Sequence, residues 1–264
     1  MNNIFKSISK ISLPVFVSLV FLFLYIPILI LVFFSFTDSS VPVFLGTKNF
    51  SLKWYYALLE SPEIWRAFYI STITGVSATF LSLFISLSLI YYNLMTGSGK
   101  NLLYAFYANI VIPEIVVAVG LLTFLSYLNI ELSLTTLIIS HTILGLGYTV
   151  PIIYSRYLSM DKKIIESSMD LGATLTQTFF KIVIPSLMPA IFAAGLLAFI
   201  ISFDDFILSF FLSGSQTQTL SILIYSMIRT GTSAIVNALS TIMLIISSFL
   251  VLIFCSLNTK TKIF

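Results

Sequence analysis

Long apolar runs separated by short polar connections make up almost the whole chain, and their lengths predict helices rather than strands. Six runs stand out: Ile11–Phe36, Phe68–Tyr92, Leu102–Tyr127, Leu134–Tyr157, Met188–Leu212 and Ala234–Leu257. Each reaches the roughly 20 residues that a helix needs to cross the hydrocarbon of a bilayer. The turns at 93–101 and 128–133 are short, so the runs they join are expected to be antiparallel neighbours. Lys6 and Lys10 precede the first run, which is too long for a signal-peptide core and has no obvious small-residue cleavage site. An uncleaved signal anchor is expected there. Pro14 and Pro27 are tolerable inside it where neighbouring groups satisfy the freed carbonyls. Trp54, Tyr55, Tyr56 and Trp65 mark the connection 37–66 as interfacial. The N-x-S match at Asn49–Ser51 is too short a pattern to carry weight.

One connection breaks the pattern. Residues 166–185, ESSMDLGATLTQTFFKIVIP, form a polar island between two apolar runs. Asp161 can cap a short helix over Lys162–Asp170, and Gly172 can end it in the left-handed conformation. Thr174 and Gln177 fit a capping box opening a second short helix, expected to stop before Pro185. Two short helices with a bend between them make a ledge. Ile164, Ile165, Met169 and Leu171 can dip into membrane lipid, which gives an amphipathic loop lying on headgroups. A docking surface for a cytoplasmic partner is the rival.

Composition supports the membrane class: 58% of residues are hydrophobic, 9% are charged and mean hydropathy is +1.08. A soluble domain carries about 25% charged residues. With one cysteine, Cys255, there is neither a disulfide framework nor a cysteine metal cluster. With six spans and the N-terminus inside, the inner segments hold nine basic residues: Lys6, Lys10, Lys100, Arg156, Lys162, Lys163, Lys181, Lys260 and Lys262. The outer segments hold four, Lys48, Lys53, Arg66 and Arg229. That asymmetry places the ledge and both termini in the cytoplasm, and the loops at 37–66 and 212–233 outside. The expected organisation is a signal-anchor helix and external loop over 1–65, a membrane domain over 66–257 with its cytoplasmic loop at about 159–187, and a tail at 258–264.

Glu114, Asp204 and Asp205 lie inside apolar runs, where a central Asp costs about 2.5–3.5 kcal/mol unless paired or wetted. On straight helices Glu114 falls roughly 18 Å deep, and Asp204 and Asp205 roughly 10–12 Å below the outer face. Acidic groups at two depths suit a cation moving inward, and Phe203, Phe206 and Tyr225 can add cation–π contacts. Adjacent helical residues point about 100° apart, so Asp204 and Asp205 cannot both face one pore line. One of them can instead pair with His141, the only histidine, or with Arg229. His141 reads as a packed hydrogen-bonding side chain rather than a metal ligand.

The ledge resembles the EAA loop of ABC-importer permeases: Glu166, Gly172, then Ile182, Ile184 and Pro185 at that family's spacing, with Leu171, Ala173 and Pro189 also fitting. Ser167 and Ser168 replace two alanines, and Ile184 replaces a leucine. The segments 49–55, 112–114 and 202–206, with Ser213 and Gly214, resemble the spermidine/putrescine branch and its second permease subunit. The resemblance implies an all-α, six-helix type I permease fold in a bacterial inner membrane. It implies that Glu166, Ser167, Ser168, Asp170, Leu171, Gly172, Ala173, Ile182 and Pro185 couple to a cytoplasmic ABC ATPase dimer. It also implies a second homologous permease, an external binding protein and a polyamine cargo.

No phosphate-binding loop occurs in the chain, so ATP and Mg are expected on the partner ATPase. No nucleophile–base constellation, metal site or cofactor is expected on this chain, and no nucleic-acid partner. Three alternatives stay open: the same importer with a metal-ion or oxyanion cargo, an ion-coupled carrier or channel, and a non-transporting scaffold.

Overall fold

The computed structural model describes residues 2–39, 50–231 and 233–261. Lys48, Asn49 and Lys262 fall outside them, as do the side chains of Lys6, Lys10, Cys255 and Lys260. Among the described residues the chain is helical, apart from one isolated antiparallel bridge between Thr37 and Phe50. Four helices are long and apolar enough to cross a membrane, or five if one bent pair counts as a single span.

The elements are α1 (Asn2–Ser35), α2 (Lys53–Glu60), α3 (Pro62–Thr96), α4 (Lys100–Ala105), α5 (Ala108–Val111) and α6 (Glu114–Tyr127). They continue with α7 (Leu134–Leu158), α8 (Lys162–Asp170), α9 (Leu175–Thr178), α10 (Ile184–Asp204), α11 (Ile207–Leu212), α12 (Leu220–Arg229) and α13 (Ser233–Thr261). Two compact units emerge. One holds residues 1–61 and 226–246, the other 62–225 and 247–264.

In the first unit the chain leaving α1 is tied down by aromatic side chains. The Trp54 indole N–H donates to the Thr37 carbonyl (2.9 Å), Tyr55 and Ser35 hydroxyls pair (2.8 Å), and Phe36 stacks on Phe50 (5.1 Å). The indole satisfies a backbone carbonyl just past the helix end, as amphipathic aromatics do at an interface.

The second unit is built on α3, α7 and α10, which pack against one another. A stripe of small residues lets their backbones approach: Ser71, Gly75, Ala78, Ser82 and Ser86 on α3 are buried. Gly145 of α7 lies so close to Ser82 that a Cβ would sit 3.0 Å from its Oγ. Ser86 and Thr149 hydroxyls bond across the α3–α7 interface (2.7 Å). In apolar surroundings, close packing of small residues and such interhelical bonds hold helices together, each bond contributing about 0.6 kcal/mol.

Two spans expected to be continuous are interrupted. The 102–127 run turns through 109° between Val111 and Glu114. Pro113 lacks an N–H and pushes Ile112 to extended backbone (φ −71°, ψ 127°), which ends α5. The 188–212 run stops at Asp204. Asp205 is extended (φ −62°, ψ 129°), and its carboxylate accepts from the Ser209 N–H (2.9 Å) and the Leu208 N–H (3.4 Å), so it caps α11. Depths counted along straight helices therefore do not hold for Glu114, Asp204 or Asp205. The predicted outer loop at 212–233 is likewise not plain loop, because α12 lies within it.

The short segment α5 is held by Asn109, whose side-chain amide donates to the Ile143 carbonyl of α7 (3.2 Å). Facing it, a Cβ on Gly147 would lie 2.8 Å from the Asn109 Cβ. Gly147→Val is expected to displace α5 and lower thermal stability by about 2 kcal/mol, within the range for overpacked sites. Melting of the detergent-solubilised protein checks this, and an unchanged transition would refute the packing account.

Candidate functional site

The ledge forms largely as its caps dictate. The Asp161 side chain accepts from the Lys163 N–H (3.0 Å) and opens α8. Gly172 (φ +86°) closes it: its N–H reaches the Met169 carbonyl (2.9 Å) and the Ala173 N–H reaches the Ser168 carbonyl (3.1 Å). This is the Schellman arrangement, which needs a left-handed residue. Thr174 and Gln177 exchange side-chain to backbone bonds (3.2 and 3.0 Å), giving the expected capping box for α9.

The second helix does not stop before Pro185. It runs through a π-turn at Phe179–Val183 and merges with α10, so residues 175–204 form one helix. The wider turn absorbs the proline, and the Ser186 hydroxyl donates to the Ile182 carbonyl (2.7 Å).

Ile165 and Ser168 turn inward, and Ser168 bonds the Thr178 hydroxyl (2.9 Å). That bond ties α8 to α9 and gives the serine a structural use. Glu166, Ser167, Asp170, Leu171 and Gly172 are exposed, while Ala173 and Ile182 are half-buried and Pro185 is exposed. Leu171 at the tip is 90% exposed, more than any other large apolar side chain described. Of the four residues expected to dip into lipid, Ile165 packs into the core cluster with Tyr154 and Val183 instead.

The acidic residues form a second constellation where the two interruptions meet. Helices α6 and α11 pack through Ala118, Leu208 and Leu212, which brings Glu114 at the start of α6 beside Asp205. Glu114 Oε1 is sealed from solvent, and the Glu114 carboxyl faces that of Asp205. Asp205 is buried and lies 3.6 Å from His141 Nε2, so the histidine rather than Arg229 is its described partner. Its backbone carbonyl accepts from the Ser221 hydroxyl (2.6 Å). Asp204 is exposed, so the two neighbouring carboxylates point apart, although Asp205 is extended rather than helical.

The aromatic candidates divide. Phe206 and Tyr225 stand 4.9 Å apart and share a cluster with Phe210, which the sequence pattern does not single out. Phe203 instead packs against Phe68 and Phe199, on the α3 side. Ser202 and Ser209, which bond His141, are also invisible to spacing arguments, because hydroxyls are common in these helices. The one usable signal is an Asp three and four residues before Leu208 and Ser209, a capping pattern inside an apolar run.

No family model matches the chain. It is 34% identical over 239 residues to the spermidine/putrescine transport system permease protein PotC of Escherichia coli (strain K12), covering 90% of each chain. The chain belongs to this family of transport permeases. It is also 34% identical over 235 residues to the putrescine transport system permease protein PotI of the same organism, covering 85% of this permease and 82% of that one. A PotC homolog of Mycoplasma genitalium is 30% identical over 261 residues, covering 94% and 90%.

Among solved structures, a bacterial ABC transporter involved in import of the acidic polysaccharide alginate superposes on this permease with a TM-score of 0.70 at 17% identity, covering 98% of both chains. The same alginate transporter in complex with its pentasaccharide-bound periplasmic protein gives 0.70 at 16% identity, covering 97% of this permease and 96% of that chain. The fold is therefore that of ABC-importer permeases.

Proposed function

We propose that this permease is the membrane-spanning subunit of an ATP-driven importer that brings polyamines, spermidine or putrescine, into a bacterial cytoplasm across the inner membrane. The observation that carries the reading is the 34% identity along nine-tenths of the chain to a spermidine/putrescine permease. In this reading six helices span the membrane, both termini are cytoplasmic and α13 is the sixth span. An external binding protein delivers the polyamine to a path shared with a second, homologous permease.

Asp204 meets the ammonium groups first and Glu114 next. The Glu114 carboxyl, with Oε1 already stripped of water and Asp205 beside it, offers acceptors that suit a cation rich in N–H donors. Phe206, Phe210 and Tyr225 supply π faces worth about 0.5–2 kcal/mol to a desolvated cation. Asp205 and Phe203 shape the path through their packing.

ATP and Mg bind a separate ABC ATPase dimer, and this chain performs no covalent chemistry. The ledge docks on that dimer. Leu171 and Glu166 project from it, and the Gly172 turn and the Ser168–Thr178 bond keep it slim and rigid. The π-turn passes its movement directly into α10, which ends at Asp204.

Proteoliposomes holding this permease with its ATPase, second permease and binding protein test the function. ATP-dependent uptake of labelled spermidine or putrescine is expected. Uptake without ATP, or of a metal ion or oxyanion only, would refute it.

Coupling has its own test in Gly172→Val. A Cβ there meets no atom within 4 Å, so the change adds only backbone strain, about 1–2 kcal/mol, at the ledge. Reduced ATPase co-purification, or ATP hydrolysis uncoupled from uptake, is expected, with α3–α7–α10 stability within about 1 kcal/mol. Full retention of both would remove the docking role.

A further inference from the structure

We infer that His141 is a positioning residue for cargo transfer: one buried imidazole on α7 spans the break between α10 and α11 and holds it in the form that presents Asp204. His141 is 1% exposed. Its Nδ1 bonds the Ser202 hydroxyl on α10 (2.8 Å), and its Nε2 bonds the Ser209 hydroxyl on α11 (3.3 Å). The same Nε2 lies 3.6 Å from the Asp205 carboxylate. The two ring nitrogens thus engage one helix segment each, on either side of residues that lack helical backbone. Imidazole suits this because its nitrogens leave opposite edges of a rigid ring and hydroxyls donate or accept as required.

The bracket compensates for what the interruption removes. A broken helix at membrane depth exposes backbone polar groups that lipid cannot satisfy, so protein groups must do so. Asp205 takes the Leu208 and Ser209 N–H groups, and the Ser221 hydroxyl takes the Asp205 carbonyl. His141 then fixes the orientation of that capped turn against α7. With Asp205 held inward beside Glu114, the preceding carboxylate, Asp204, is left facing outward. Without the bracket the turn keeps its own cap but loses its fixed orientation against α7, and Asp204 is no longer held in one direction.

This inference rests on the reading that Asp204 receives a cationic cargo, and the experiment separates the two. Initial rates of spermidine uptake are measured in proteoliposomes of the full transporter against the concentration of loaded binding protein. The variants are His141→Leu, His141→Gln, Ser209→Ala, Asp204→Asn and the double variant His141→Leu with Asp204→Asn.

His141→Leu is expected to lower kcat at least tenfold, with an unchanged KM for loaded binding protein and an unchanged amount of assembled complex. His141→Gln, which keeps hydrogen-bonding atoms on the side chain, is expected to stay within about threefold of the parent. The double variant is expected to be no slower than Asp204→Asn alone, because residues acting through one site are not additive. Multiplying losses, or equal losses for Leu and Gln, would overturn the inference. If His141→Leu does not assemble, Ser209→Ala decides: a kcat loss supports the bracket and a parental rate overturns it. A parental rate for Asp204→Asn would instead remove the cargo reading itself.

Discussion

Gly214→Ala is expected to destabilise the permease by about 3 kcal/mol, the upper end of the usual cost of overpacking. The methyl group would run into the Leu132 carbonyl oxygen and lie 2.8 Å from its carbonyl carbon. A clashing side chain can rotate away, but a backbone carbonyl cannot. Leu132 immediately precedes Ser133, which caps α7 through a reciprocal pair of bonds with Thr136. On the other side, the Gly214 N–H donates to the Thr217 hydroxyl (2.7 Å) and its carbonyl accepts from the Thr217 N–H (3.0 Å).

Both walls of the contact are therefore anchored. The turn beyond is anchored too, because Arg66 bonds Gln216 (2.7 Å) and the Leu220 N–H bonds Ser71 (2.8 Å). Melting of the solubilised protein checks the prediction, with Gly120→Ala as the control. A Cβ at Gly120 meets nothing within 4 Å, so that change is expected to be neutral or slightly stabilising. Equal transitions for the two variants would show that the close contact at Gly214 is not a constraint.

Asp204→Asn is expected to cut polyamine uptake at least tenfold while leaving assembly intact. Tenfold corresponds to about 1.4 kcal/mol, a modest demand on a charge that meets an ammonium group away from bulk water. Asp204 is exposed, and asparagine keeps its shape, so no buried group is orphaned by the change. The neighbouring substitution has a different signature. Asp205→Asn weakens the cap of α11 and the contact with His141, so it is expected to lower stability by about 1–3 kcal/mol, the cost of leaving buried polar groups unmatched. Uptake rates and melting curves for the pair separate a cargo contact from a structural carboxylate. Parental uptake by Asp204→Asn would rule out an acidic first step for the cargo.

The alginate transporter shares the backbone at a TM-score of 0.70, yet its cargo is an acidic polysaccharide. Under the proposed polyamine function the same scaffold would serve cargoes of opposite sign, and the proposal assigns that difference to side chains such as Asp204 and Glu114.

Several features follow from local chemistry alone. Apolar run length sets the spans because backbone groups in lipid must bond within their own helix, and that needs no tertiary information. The ledge was legible for the same reason: Asp161, Gly172, Thr174 and Gln177 act on groups within three or four residues of themselves. That Asp204 and Asp205 do not share one direction was also expected, although the structure separates them by ending the helix between them. His141 was one of two partners the sequence offered, beside Arg229.

What only the tertiary structure decided are the features that depend on contacts distant in sequence. The run holding Pro113 was expected to be continuous; the proline ends α5 by local sterics, while α5 packs on Gly147 of α7 through a contact distant in sequence. Asp205 broke its helix because Ser221, His141 and the α6 face were there to satisfy the exposed groups, and no local pattern reveals such partners. Pro185 did the reverse: a helix expected to stop continued, through a π-turn over Phe179–Val183 just before the proline. In each case local propensity stated a preference worth about 1–3 kcal/mol, and the surrounding backbone, hydrogen bonds and packing decided the outcome.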